Sequence, residues 1–63
     1  MAQEIKAELS SLEFSLGEIA KRIAALADQK YTEKQEAIAS ELYQAERSIV
    51  SAVRRLEKAQ NRQ

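Results

Sequence analysis

Residues 5–26 read IKAELSSLEFSLGEIAKRIAAL, and their large apolar side chains recur at alternating intervals of four and three residues. The members of this first ladder are Ile5, Leu9, Leu12, Leu16, Ile19, Ile23 and Leu26. Such alternation is typical of the two core positions of a heptad repeat, along which one helix packs against another. The stretch therefore predicts a long amphipathic helix with one apolar seam.

A second stretch with the same spacing follows at residues 38–59, which read IASELYQAERSIVSAVRRLEKA. The members of this second ladder are Ile38, Leu42, Ala45, Ile49, Ala52, Leu56 and Ala59. The chain has no Pro and a single Gly, and its abundant Ala, Glu, Leu, Lys and Gln favour helix. We therefore predict an all-α fold in one domain, residues 1–63, with helix one at about 2–28 and helix two at about 33–60.

The turn between the two helices is predicted at residues 29–32 from two signals. Continuing the first ladder beyond Leu26 would place Lys30 at a core position. Thr32 followed by Gln35 has the spacing of a capping box, which starts a helix. Folding back there gives an antiparallel helical hairpin, a two-helix coiled coil. The alternative is one continuous helix in a long parallel coiled coil, because neither Gly nor Pro marks the turn.

An antiparallel fold about residues 30 and 31 predicts which residues face one another. The ladder layers become apolar throughout, with Ile5 facing Leu56 at the open end of the hairpin. On one flank, opposite charges face one another in two pairs, which are Glu8 with Arg55 and Arg22 with Glu41. Two separate patterns thus predict the same register.

The other flank of the predicted hairpin carries small, aliphatic and aromatic side chains, although Glu13 would face Glu46 there. The apolar residues are Phe14, Gly17, Ala20, Ala24, Ala39, Tyr43, Val50 and Val53. An apolar strip beyond a seam is typical of a helix with two neighbours. A chain of 63 residues also buries little surface on its own. We therefore expect a second copy of the chain to bind this strip, which gives a homodimer with the fold of a four-helix bundle, or a helix of another protein to bind there. The alternative is a monomer with scattered surface apolar residues.

The composition argues against several classes of function. The chain has no His and no Cys, so the commonest general base, thiol nucleophile and metal ligands are missing, and we expect no enzyme, no cofactor and no metal site. Ten basic residues balance ten acidic ones, which argues against nucleic acid as a partner. The longest apolar run, residues 23–27, is far shorter than the roughly 20 residues that span a bilayer. The N-terminus does not read as a secretion signal, so we expect a cytoplasmic protein without membrane contact.

The sequence therefore predicts a small non-enzymatic interaction module, an adaptor or regulator, that acts through homodimerisation and helix-face protein binding. A second hypothesis rests on a polar stripe of helix two, formed by Arg47, Ser51, Arg54 and Lys58. Arg binds phosphate through two donors, so this stripe could bind an anionic ligand, a nucleotide or RNA. A third hypothesis is a designed or excised coiled-coil scaffold without native activity, because the two ladders are so regular.

Overall fold

A computed structural model describes the backbone of residues 2–62 and the side chains of residues 5–62. This part of the chain consists of two helices, α1 over Ala2–Thr32 and α2 over Glu36–Asn61, which pack against each other along their length. Their Cα atoms fill an envelope of 49 × 14 × 10 Å. The predicted all-α antiparallel hairpin is confirmed.

The turn lies at residues 33–35, so the predicted turn at residues 29–32 is wrong, and α1 continues through that stretch. Two backbone hydrogen bonds end α1: the Gln35 N–H donates to the Lys30 carbonyl (2.9 Å) and the Lys34 N–H donates to the Tyr31 carbonyl (3.0 Å). This pair of bonds is the Schellman motif. Its left-handed residue is Lys34, with φ of 64°, at the position where glycine is usual.

Thr32 does not cap α2. Its hydroxyl donates to the carbonyl oxygen of Asp28 at 3.0 Å, one turn earlier in α1. The residue that precedes α2 is Gln35, whose side chain makes no capping hydrogen bond. The predicted capping box is therefore wrong, because a hydroxyl near a helix end can bond to the preceding turn instead of the following amides.

The two helices meet along faces rotated by about 50° from the predicted seams, since each residue advances about 100° around a helix. On α1 the buried and half-buried side chains are Leu9, Glu13, Leu16, Gly17, Ala20, Ile23, Ala24, Ala27 and Lys30. On α2 they are Ala39, Leu42, Tyr43, Glu46, Ile49, Val50, Ala52, Val53, Leu56 and Gln60. Alternate members of each ladder, such as Leu9 and Leu42, thus face the other helix. The remaining large members do not.

Three alanines lie at the centre of this packing face. Ala20, Ala27 and Ala39 are 6%, 0% and 1% exposed, and they are the buried apolar residues among residues 5–62. Small side chains let helix axes approach closely, because the distance between axes depends on the side chains at the contact. The hairpin therefore closes on its alanine face, and no large side chain in the described range is fully buried.

The register also differs from the prediction. Gln60 contacts Ser10, and Tyr43 contacts Asp28, which displaces α2 by about two helical turns from the predicted register. Neither predicted ion pair between the helices, which involved Arg55 and Arg22, forms within residues 5–62. The ion pairs found there join residues three positions apart in the sequence, Glu18 with Lys21 and Lys30 with Glu33.

Candidate functional site

The main feature of the surface is a row of large apolar side chains left uncovered by the hairpin. Their exposed fractions are 47% for Ile5, 44% for Leu12, 42% for Ile19, 44% for Leu26 and 50% for Ile38. Four of the five lie on α1 at intervals of seven residues, so they form one line with a step of about 10 Å. These residues were predicted to lie in the seam between the helices, and that prediction is wrong.

The matching positions of α2 belong to the same side of the molecule. In an antiparallel pair, positions that bear the same angle to the packing face lie on one side of both helices. We define the apolar flank as Ile5, Leu12, Ile19, Leu26, Ile38, Ala45, Ala52 and Ala59. A shallow groove of about 530 Å³ opens on this flank beside Ile19, Ile23 and Leu26, with Arg22 at its edge. Contiguous apolar surface of this kind marks sites of protein association.

The strip predicted to bind a second chain is divided by the structure. Ala20 and Ala39 are buried between the two helices of one chain, so they offer no surface to a partner, and that part of the prediction is wrong. The other members of the predicted strip that are half-buried are Gly17, Ala24, Tyr43, Val50 and Val53. Phe14 is 71% exposed. A methyl group added at Gly17 would meet no atom within 4 Å, so the fold of the single chain does not require glycine there.

The stripe predicted to bind anions is exposed along α2. Three of its members, Arg47, Ser51 and Arg54, line one groove of about 280 Å³ together with Val50 and Glu46. Lys58 is exposed and does not line that groove. The structure therefore brings together three of the four residues, but it adds a carboxylate that would repel an anion.

A hydrogen bond joins the helices near the turn. The Tyr43 hydroxyl donates to the Asp28 carboxylate, and this bond raises the pKa of the Tyr43 phenol above its ordinary value. At the turn itself, Gln29 and Lys30 donate to the carboxylate of Glu33, each at 3.2 Å. The hydrogen bond from Gln29, followed by that from Lys30, lowers the pKa of Glu33 below its ordinary value. This end of the hairpin is thus held by polar contacts.

A second set of polar contacts joins the helices at the open end. With its amide oriented to satisfy both neighbours, Gln60 donates to the two carboxylate oxygens of Glu13 at 2.7 and 3.2 Å. The same side chain accepts a hydrogen bond from the Ser10 hydroxyl at 2.9 Å. The predicted neighbour of Glu13 was Glu46, and Gln60 takes that place because of the shifted register.

A signal for the true packing face was present in the sequence. Ala20 and Ala27 are seven residues apart and each follows a ladder residue by one position, while Ala39 has the same relation to Ile38. Together with every second ladder residue, these alanines form another four–three pattern, with smaller side chains than the ladder itself. Small residues repeated along one stripe indicate where two helices approach most closely.

Within the described residues, no three potential ligands among His, Cys, Asp and Glu lie close enough together to hold a metal ion. Neither α1 nor α2 has a stretch sufficiently long and apolar to cross a bilayer. Comparison with models of known protein families, with curated proteins and with solved structures gives no match, so the geometry described above carries the functional argument.

Proposed function

We propose that this protein is a non-enzymatic interaction module, an adaptor or regulator, that works through its apolar flank by homodimerisation and by binding helices of other proteins. The observation that carries the proposal is the row Ile5, Leu12, Ile19 and Leu26, a continuous line of large side chains each more than two-fifths exposed. An amphipathic helix or helix pair is the partner that fits such a line, because its own apolar residues recur with the same period.

The energetics of the single chain support an assembled state. Full burial of a large aliphatic side chain contributes about 1.5–3 kcal/mol. Covering the exposed half of five such side chains would thus contribute roughly 5 kcal/mol per chain, comparable with the whole stability of a small domain. Within the described range, the buried apolar residues of the hairpin are three alanines. Because that core is small, burial of the exposed aliphatic side chains by a partner would stabilise the folded chain considerably.

The proposal is tested by placing charges in the apolar flank. The double substitution Leu12→Glu with Ile19→Glu should convert an associating protein into a monomer in sedimentation equilibrium. The control is Phe14→Glu, which places a charge at a more exposed apolar residue outside the flank, and it should leave the mass unchanged. Circular dichroism establishes that the variants remain helical.

A second measurement keeps the test decisive if the charged variant unfolds. Because a partner that binds only the folded chain stabilises it by mass action, the melting temperature of the unaltered protein should rise with its concentration. A monomeric mass together with a constant melting temperature, and no binding of amphipathic helical peptides, would contradict the proposal.

A second candidate function, binding of an anionic ligand, nucleotide or RNA, is supported by the position of Arg47, Ser51 and Arg54 around one groove. The carboxylate of Glu46 lines the same groove and would repel an anion, which argues against this candidate. Titration with nucleotides and RNA at two salt concentrations tests this candidate, since binding through Arg and phosphate must weaken as salt increases. Absence of binding at low salt removes it.

A further inference from the structure

The two halves of the apolar flank differ in shape. The α1 half is a ridge built from Ile5, Leu12, Ile19 and Leu26. The α2 half presents Ala45, Ala52 and Ala59, and is therefore a shallow channel beside that ridge. Ile38 fills the channel only at the turn end. A ridge next to a channel of equal period is a surface that can accept its own copy.

The axial register of the hairpin places each ridge residue beside a channel residue. Gln60 contacts Ser10 and Tyr43 contacts Asp28, so these pairs lie at nearly the same level along the helices. Because each residue rises about 1.5 Å in both helices, levels between these two contacts can be counted directly. The level pairs are Leu12 with Ala59, Ile19 with Ala52, and Leu26 with Ala45.

We infer that the occupant of the apolar flank is a second copy of this chain, related by a two-fold axis parallel to the helices. This inference rests on the proposed function and specifies the partner and its orientation. Rotation about such an axis leaves every residue at its own level and exchanges the two halves of the flank. Leu12, Ile19 and Leu26 of each copy then lie on Ala59, Ala52 and Ala45 of the other, and the assembly is a four-helix bundle.

Packing of large on small residues distinguishes this arrangement from the other two-fold. An axis perpendicular to the helices would place α1 on α1, with ridge against ridge, and α2 on α2, with alanine against alanine. The first contact would force the helices apart while the second leaves a gap. The parallel axis gives every layer one large and one small residue, which fills the space evenly.

Charge at the rim of the flank is also compatible with self-association. The charged outward neighbours of the ridge are Glu8 and Arg22, and those of the channel are Glu41, Arg55 and Arg62. Each half therefore carries both signs of charge, with one basic residue in excess on the channel side. A rim of mixed charge lets two copies approach without the strong like-charge repulsion that opposes association.

The size of the face suits a dimer of moderate affinity. The ridge from Ile5 to Leu26 is about 30 Å long and a helix pair is about 20 Å wide, so each copy offers roughly 600 Å². This area approaches the roughly 800 Å² per partner of a standard protein interface. The second copy also covers both halves of the flank at once.

The orientation is tested by exchanging sizes across one layer. Leu26→Ala leaves a cavity opposite Ala45, and Ala45→Leu places two leucines in one layer, so each single substitution should weaken the dimer about tenfold or more. The double variant Leu26→Ala with Ala45→Leu restores one large and one small residue and should recover most of that loss. Recovery is measured as the dissociation constant by sedimentation; equal or greater weakening in the double variant overturns the inferred orientation.

Cross-linking provides an independent readout, because the native chain has no Cys. Chains carrying Ile19→Cys are mixed with chains carrying Ala52→Cys and oxidised gently. The inferred arrangement yields the mixed disulfide in excess of the statistical mixture. A dominant disulfide between two Ile19→Cys chains would overturn the orientation while leaving the proposed function intact, whereas a protein that stays monomeric at every concentration would remove the second copy altogether.

Discussion

With its amide oriented to satisfy both neighbours, Gln60 donates to both carboxylate oxygens of Glu13, at 2.7 and 3.2 Å, across the open end of the hairpin. Both side chains are half-buried on the face where the helices meet. Near the turn, the same stripe of the two helices is occupied by buried alanines. On this stripe, the helices are thus joined by apolar contact between alanines toward the turn and by the hydrogen bond between Gln60 and Glu13 at the open end.

Replacing Gln60 by Glu should destabilise the hairpin by about 1 kcal/mol at neutral pH, because two carboxylates would then face one another. The penalty should disappear in acid, where both carboxyl groups are protonated and no longer repel each other. Urea unfolding at the two pH values measures the difference. Gln60→Ala is the control, since it removes the hydrogen bond without adding charge and should lack this pH dependence. An identical pH profile for both variants would contradict the contact.

Replacing Ala39 by Leu should destabilise the hairpin by about 1–3 kcal/mol through overpacking, because Ala39 is 1% exposed on the face where the helices meet. Ala25→Leu is the matched control, since Ala25 lies on the exposed side of α1 and its substitution should change the free energy of unfolding by less than about 0.5 kcal/mol. Chemical unfolding at one fixed protein concentration makes the comparison. Equal effects of the two leucines would show that the helices do not meet on the alanine face.

The existence and direction of the two helices follow from the hydrophobic period of the sequence, but the face on which they meet does not follow from that period alone. Positions such as Leu16, Ile19 and Ala20 together form an apolar band wider than one seam. The four–three period fits the pair Leu16 and Ile19 as well as the pair Leu16 and Ala20. Periodicity alone cannot select between them, because the selection depends on how closely the backbones approach. Small side chains decide that distance.

The position of the turn could not be predicted from the sequence either. Helix ends are usually recognised by Gly at the left-handed position, and here Lys34 adopts that conformation. Thr32 suggested an earlier turn because its hydroxyl could cap a helix, but it bonds to Asp28 within α1. A shift of the turn by a few residues then shifts every pairing between the helices. For this reason, the predicted ion pairs and the predicted partner strip were displaced together.

Replacing Lys34 by Gly should stabilise the hairpin by about 0.5–1 kcal/mol. The left-handed conformation costs a residue with a side chain roughly 1 kcal/mol or more, and glycine adopts it without that strain. Thermal unfolding of the two proteins at equal concentration provides the measurement. The matched control is Gln35→Gly, where φ is −98° and glycine only adds freedom to the unfolded chain. If both glycines lowered the melting temperature alike, the turn would not be a Schellman motif centred on Lys34.

The hydrogen bond between Tyr43 and Asp28 predicts a shifted titration of the phenol. The neutral hydroxyl donates to the carboxylate, so the bond favours the protonated phenol and raises the pKa of Tyr43 above its ordinary value of 10.0. The stabilisation that this bond contributes is complete at pH values below the ordinary pKa. It is lost as the pH rises through the raised pKa of the folded chain.

The shift is measured by the ultraviolet absorbance of tyrosinate in a Tyr31→Phe background, where Tyr43 is the remaining tyrosine. Its midpoint should lie above the ordinary value, and Asp28→Asn should move it downward, because the negative acceptor is gone. Glu33→Gln removes a different carboxylate near the turn, one that Tyr43 does not contact, and should leave the midpoint in place. If Asp28→Asn left the midpoint unchanged, the side chains of Tyr43 and Asp28 would not be in contact. The register assigned to the hairpin would then lose its support near the turn.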